Sequence, residues 1–443
     1  MLTRCDSLRL SLAMVCLSVI AGLPSAAHAF VLTPDQNGVR LQIPSALYVA
    51  TADGHLTKII ALGVAAPGGG TIAYIGAPAF ANDGTVFFAT QVRTPAAAEW
   101  KILRADLKEP NEVGIRLAME SRSAPPDCQP VLNTEPYVIS DGDGTIAFVA
   151  DRRGGGSALF HYTAGHLTCE VRTGDRTAEG NVITSIGFGS ASAAQNGGTV
   201  LLVNLVRNDP AASKRGIRRG IVLAMPGAPV REIALQGDRS HDGLRYGGHF
   251  GLPAIAVAGN NVLVAFTNHT DQGSALFLGL PDAPTRSVSV GAMVEGRALT
   301  YLSDGRPSLD SDSSVAIGAV AGSRRLILVL RSGEPLFAVP EGEKTNNGDR
   351  ITGLGDPVAT VSGRVYAEGV DQKGRDRIFI LQSGASVAPA ISTRHEFLPS
   401  SAAVDRNGKV AFLASQHIDG ARSARKAESG QEGASLHGPE RQE

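Results

Sequence analysis

The sequence predicts an all-β protein, a seven-bladed β-propeller of four-stranded antiparallel blades. Three observations predict it. A turn followed by an apolar strand recurs seven times, a second set of strands follows at a regular offset, and one repeat is split between the two ends of the chain. Repeats with long periods mark propellers, solenoids or arrays.

The clearest turn and strand is Asp141-Gly142-Asp143-Gly144-Thr145-Ile146-Ala147-Phe148, matched by Ala81–Phe88, Gln195–Leu202 and Asp405–Phe412. Weaker copies begin at Gly259, Asp312 and Ser362. Aligned on the first apolar residue, the anchors are Val86, Ile146, Val200, Val262, Val315, Val365 and Val410. Two places earlier stand Gly84, Gly144, Gly198, Asn260, Ser313, Gly363 and Gly408. A two-residue hairpin turn needs a positive φ there, which Gly and Asn adopt at low steric cost. Ser313 breaks the pattern and implies another turn type.

The second set of strands reads Trp100–Leu103, Ala158–His161, Gly220–Leu223, Ala275–Leu278, Leu326–Val329 and Arg377–Ile380. Only six follow the seven anchors. The seventh is Ala46–Val49, at the other end of the chain, and the match continues: Gly54-His55-Leu56-Thr57 repeats as Gly165-His166-Leu167-Thr168. Residues 46–63 therefore read as the outer half of a repeat whose inner half is about 396–415. Sharing one sheet between both ends closes the ring and removes the open edges of a solenoid. The first blade is expected near 72–80, 85–91, 100–105 and 112–118. Gly174-Asp175, Gly237-Asp238 and Gly333-Glu334 are expected to open the connections to the next blade.

Composition agrees. With 52 Gly and 24 Pro spread along the chain, no long helical stripe emerges, as expected for many short strands. Lys and Arg number 41 against 42 Asp and Glu, so no basic footprint for nucleic acid appears. Residues 1–29 read as a signal peptide: Arg4 and Arg9, an apolar stretch from Leu10 to Leu23, then Ala27-His28-Ala29. A membrane anchor is the alternative, but the apolar run is short, and no later stretch has the length of a transmembrane helix. The expected location is periplasmic or secreted. Cys128 and Cys169 remain after cleavage, and in an oxidising compartment a pair reads as a disulfide, with two free buried thiols as the alternative. Such a closure would stabilise by roughly 4 kcal/mol in the chain-entropy model. Residues 30–417 make the propeller domain. Residues 418–443, almost without apolar side chains, are expected to be a disordered tail.

The repeats resemble secreted bacterial tandem-repeat proteins with an Asn-x-x-Gly…Ala-Phe signature, carried best by Ile146-Ala147-Phe148 and Val410-Ala411-Phe412. Val171-Arg172-Thr173-Gly174-Asp175 is similar to that family's connections. The signature Asn is replaced by Ala81, Asp141, Gln195 or Asp405. The resemblance implies a β-propeller-like fold and an exported location, and no chemistry, because the family's activity is not established.

In this strand order the first turns share one face, and the second-to-third-strand loops and blade connections share the other. Ligand sites are expected on that second face, around the central channel. The candidate binding residues there are Asp175, Asp238, His241, Asp242, His249 and His269, with Arg153, Glu334 and the loop from Arg207 to Arg219 beside them. His241, Asp242, His249 and His269 are the only dense group of metal ligands or acid–base groups, but their spacing fits no standard zinc pattern. Asp after Gly also commonly bonds its own backbone to fix a turn. Asn82, Asp83, Asp141 and Asp143 read as turn chemistry, although calcium could be proposed. Lys214-Arg215 and Arg218-Arg219 make one basic patch, read as solvated surface. Trp100 reads as core. No P-loop, zinc-hydrolase helix or Gly-x-Ser-x-Gly elbow occurs. The sequence therefore points to an exported, non-catalytic binding or scaffold module whose partner is an envelope protein, a peptide or a polysaccharide. A hydrolase or lyase acting on a lactone or glycan at the channel mouth is the alternative.

Overall fold

In a computed structural model, residues 31–416 are described except for short segments at 36–37, 43–44, 52–54, 109–111, 121–127, 129–130, 135–136, 141–143, 188, 208–215, 362, 383–387 and 390–396. The expected signal peptide and the expected tail, with Asp141, Asp143, Lys214 and Arg215, lie outside the described residues.

The described strands form seven antiparallel blades and one separate hairpin, Val31–Asp35 with Gly38–Gln42. Blade 1 runs Thr71–Phe80, Val86–Arg93, Ala98–Lys108 and Glu112–Glu120, from the inner strand outward. The second strands of blades 2 to 6 are Ile146–Arg152, Thr199–Val206, Asn261–Thr270, Ser314–Ala321 and Arg364–Asp371. Blade 7 takes Phe397–Val404 and Val410–Gln416 from one end of the chain, and Ala46–Ala50 and Leu56–Ala61 from the other. Tyr48 lies opposite Phe412 in that sheet, and the two rings stack with centroids 5.9 Å apart. The ring is closed as the split repeat requires.

The core is not one mass. Seven apolar clusters of described residues sit one at each blade-to-blade interface, because successive side chains of a strand point to opposite faces of its sheet. Ile146, Phe148 and Ala150 face blade 1, while Ala147 and Val149 face blade 3. Burial on both faces explains why the second strands read as unbroken apolar runs. The Ala-Phe signature has a physical role here: Phe148 stacks on Phe160 across the strand pair at 5.6 Å, and both are fully buried. Trp100 packs into the cluster between blades 1 and 2, edge-on to Tyr74 at 5.6 Å. Cys128 and Cys169 form a disulfide with Cα atoms 6.0 Å apart. It ties the outer strand of blade 2 to the segment that enters that blade.

Three details differ from the sequence reading. The first turns of blades 1, 3, 5 and 7 are three-residue loops rather than two-residue ones. In blade 1, Gly84 N–H donates to Ala81 O and Ala81 N–H to Thr85 O, a type I turn ended by a left-handed residue. In blade 5 Ser313 takes that place with φ 65°, so it keeps the turn type of its counterparts at a steric cost. In blades 3 and 4 the positive φ falls one residue earlier than aligned, at Gly197 and Gly259. The turn carboxylates and amides act as expected where described: Asp83, Asn196, Asp312 and Asp405 each accept a backbone N–H two residues on. Second, Gly333-Glu334 does not open a blade connection. It lies in the hairpin between Arg324–Arg331 and Glu334–Pro340, which moves Glu334 to the opposite face. The equivalent of Gly174-Asp175 is Gly342-Glu343, whose Gly N–H reaches Ile351 O as Gly174 N–H reaches Ile183 O. Third, Arg218 and Arg219 belong to the strand Ile217–Ala224 and not to the loop before it.

Candidate functional site at the channel

Every inner strand breaks its ladder half-way. Breaks fall at Ile75–Pro78, Thr134–Ile139, Ile186–Ser192, Phe250–Ala254, Leu302–Ser308, Leu354–Pro357 and Ser400–Ala402. These strands are the inner edge of each blade, where proline costs no ladder hydrogen bond. Pro78, Pro253, Pro307, Pro357 and Pro399 stand beside the breaks. A bulge re-aims side chains.

Toward the first-turn face is a cavity of about 410 Å³, lined by inner-strand residues of six blades. Its walls are mostly small: Ala77, Ala79, Ser192, Ala193, Ala402 and Ala403 are typical. Arg306 enters it from blade 5 and donates to Gly189 O of blade 3 at 2.7 Å and Pro253 O of blade 4 at 3.2 Å. Burial lowers its pKa to about 10, which leaves it cationic at neutral pH. Arg306 is thus a cross-channel tie whose donors are directed at carbonyls.

Toward the second face, titratable groups gather at the junction of blades 4 and 5. Residues 247–249 bulge out of the inner strand of blade 4 opposite His269. The fully buried Asn268 holds that bulge, accepting from Gly247 N–H at 2.9 Å and donating to His249 O at 2.9 Å. Gly251 follows. A Cβ there would lie 2.2 Å from Thr267 Oγ1 and 3.0 Å from Asp304 O, so its absence lets the blade 5 bulge come close. Leu252 N–H donates to Asp304 O at 3.0 Å, and Thr267 Oγ1 donates to Ser303 O at 3.2 Å. Held this way, the Asp304 carboxylate meets His249 Nε2 at 2.9 Å and His269 Nε2 at 3.6 Å, with the imidazole rings 4.6 Å apart.

A second acidic pair lies further round the ring. Asp356, exposed in the blade 6 bulge, and Glu368 of the neighbouring strand repel one another electrostatically. Burial raises the Glu368 pKa from 4.5 to about 7, opposed by hydrogen bonds from the Ala402 and Ser401 backbones and reinforced by Asp376 and Asp356.

Of the six candidate binding residues, the structure brings together His249 and His269. The other four sit in blade connections, where the three aspartates have partners of their own. Asp175 caps its own turn, accepting from Arg172 N–H at 2.7 Å. Asp238 pairs with Arg218. His241 and Asp242 form the tip of a small hairpin, Ser240–Leu244, with Asp242 accepting from Ser240 Oγ at 2.7 Å. Thr177–Asn181 and Thr345–Asp349 make the same hairpin with Ala178-Glu179 and Asn346-Asn347 at the tip, so the tip needs no particular chemistry. Asp304, Arg306, Asp356 and Glu368 were not visible as candidates in the sequence. The signal that could have found them is the proline eight or nine residues before each anchor in most repeats, since it marks the broken inner strand.

No family model and no curated protein matches the chain. Among solved structures it is similar to a Pyrococcus horikoshii acylaminoacyl peptidase at 12% identity and TM-score 0.45, over 77% of this chain and 49% of that one. It is also similar to a gluconolactonase from Xanthomonas campestris at 12% identity and TM-score 0.34, over 84% of this chain and 97% of that one. A Trypanosoma rangeli sialidase matches at 12% identity and TM-score 0.32, over 91% of this chain and 60% of that one. The chain spans about half the length of the peptidase. At such identities the likeness concerns the fold alone.

Proposed function

We propose that the protein is an exported, non-catalytic binding propeller of the periplasm or cell exterior, related to the tandem-repeat proteins its sequence resembles, and that its central cavity receives the ligand. The observation that carries this reading is the lining of that cavity. Its 410 Å³ lies within the range of small-ligand sites. Its wall offers mostly small side chains and backbone, with Arg306 and Tyr137 as its large polar side chains, and neither a carboxylate nor an imidazole lines it. General acid–base catalysis draws most often on His, Glu or Asp within hydrogen-bond reach of the substrate, and a serine nucleophile such as those in this wall needs an adjacent base. A short peptide or the end of a sugar polymer suits such a wall.

The test is calorimetric titration of the protein with panels of short peptides and oligosaccharides, alongside a Ser192→Trp variant that fills the cavity. Binding that disappears in the variant, with the ligand recovered intact, supports the reading. A ligand returned cleaved replaces it with the hydrolase or lyase reading, for which the His249–His269–Asp304 group is the specific support.

A further inference from the structure

We propose that His249, His269 and Asp304 form a binding site for one divalent first-row transition ion, with zinc the representative. One ligand atom from each residue falls within a single sphere, all within 4.8 Å of one another. Ligands at the usual zinc distances of about 2.0–2.2 Å stand roughly 3.0–3.5 Å apart around the ion. His249 Nε2 lies 2.9 Å from Asp304 Oδ2 and His269 Nε2 3.6 Å from Asp304 Oδ1, so each imidazole stands near that edge length from one oxygen of the shared carboxylate.

An ion pair between histidine and aspartate would account for part of this, but it leaves two features unexplained. Asp304 Oδ1 is buried and has no hydrogen-bond partner, although a buried carboxylate oxygen without one is costly. The two imidazoles also converge on that one carboxylate with their rings 4.6 Å apart, although a single histidine would complete an ion pair. A cation between the three groups resolves both. It gives the orphaned oxygen a partner and the two imidazole nitrogens a shared one.

The donor set selects the class of ion. Two imidazoles and one carboxylate suit zinc and its neighbours, whereas calcium takes oxygen ligands throughout. Three protein ligands leave at least one coordination position open. His249 and His269 are about half exposed, at 51% and 46%, so an open position can be reached from solvent on the second face. The backbone is prepared for such a load. Asn268 fixes the His249 bulge, and the Leu252–Asp304 and Thr267–Ser303 bonds fix blade 5 against it. Bound metal would therefore clamp blade 4 to blade 5. None of this depends on what the cavity receives.

The test uses the full exported chain, stripped with a chelator and dialysed. Calorimetric titration with zinc chloride is expected to give one ion per chain. His269→Ala and Asp304→Asn should each weaken binding by at least about tenfold, as expected when a direct ligand is lost. His241→Ala, on a hairpin tip outside the group, should leave it unchanged, and calcium should give no heat. Unaltered melting of the metal-free variants checks their fold. Cobalt(II) titrated into the wild-type chain should develop visible bands of a nitrogen-ligated ion, a readout that needs no variant. Retention of full zinc stoichiometry in His249→Ala/His269→Ala, or a cobalt spectrum that stays that of the aqueous ion, overturns the proposal.

Discussion

Glu368 takes up a proton where most glutamates have lost theirs. Its carboxyl is half-buried between blades 6 and 7, beside two other acids, and burial outweighs the donors at Ser401 and Ala402. A carboxyl whose pKa is raised by folding, here from 4.5 to about 7, favours the folded state at low pH. That contribution is complete below about pH 4.5 and is lost as pH rises through 7. Glu368→Gln keeps the shape and removes the charge. Its expected effect is no change in melting temperature at pH 4.5 and a gain at pH 8.5 on the order of 2 kcal/mol, reduced from the full shift because the site is partly solvated. Thermal melts of both proteins across that range decide it, and parallel curves would remove Glu368 from the account. Asn268 is the opposite case, a buried amide with its oxygen and both donor contacts employed. Asn268→Ala should cost about 1–3 kcal/mol in urea denaturation, since it removes three hydrogen bonds to part-buried backbone groups of the bulge.

At the scale of the element, the broken inner strand distinguishes this propeller's channel from a plain packed core. The strands themselves were legible: the first blade read from 72 to 118 occupies Thr71–Glu120. The apolar anchors revealed them because both faces of every second strand are buried. The bulges were not legible from that pattern. Period-2 alternation fails wherever three residues oppose one, and Tyr246-Gly247-Gly248-His249-Phe250 looks in sequence like a Gly-rich loop, although it is strand on both sides of the break. His249 and His269 could be named from their chemistry, but Asp304 comes from the next blade, 35 residues beyond His269 in number. No local spacing rule spans two blades. The close approach that unites them rests on Gly251, so Gly251→Ala is a sharp test of the element. Its new Cβ would fall 2.2 Å from Thr267 Oγ1 and against the Asp304 backbone. The expected cost is about 1–3 kcal/mol, the usual range for forced overpacking. The blade 4–5 junction should loosen first, seen as faster amide exchange at Leu252 with blade 1 unaffected.

For the whole molecule, stability is distributed around a circle, and the circle has one seam. Seven interfaces each bury their own apolar cluster, so no central core would survive the loss of a neighbour on both sides. Six blades are continuous in sequence, and only blade 7 depends on strands from both ends of the chain. If Ala46–Ala50 and Leu56–Ala61 are removed, the ladder from Ala46–Ala414 to Ala50–Val410 loses one side. Val410–Gln416, which now lies between two strands, becomes an open edge carrying Ala411, Phe412 and Leu413 stripped of cover. Exposed, flat, apolar edges pair with other chains. A chain beginning after residue 61 should therefore lose cooperative unfolding and associate in solution. The milder change, Phe412→Ala, keeps the hydrogen-bonded seam while removing a fully buried ring that stacks on Tyr48. It should cost about 3–5 kcal/mol, the range for deleting a buried aromatic side chain, yet leave a monomer. Sedimentation and urea denaturation of the two proteins separate the effects. If the truncated chain stays monomeric and cooperative, blade packing alone holds the ring, and the shared sheet is a consequence of closure instead of its cause.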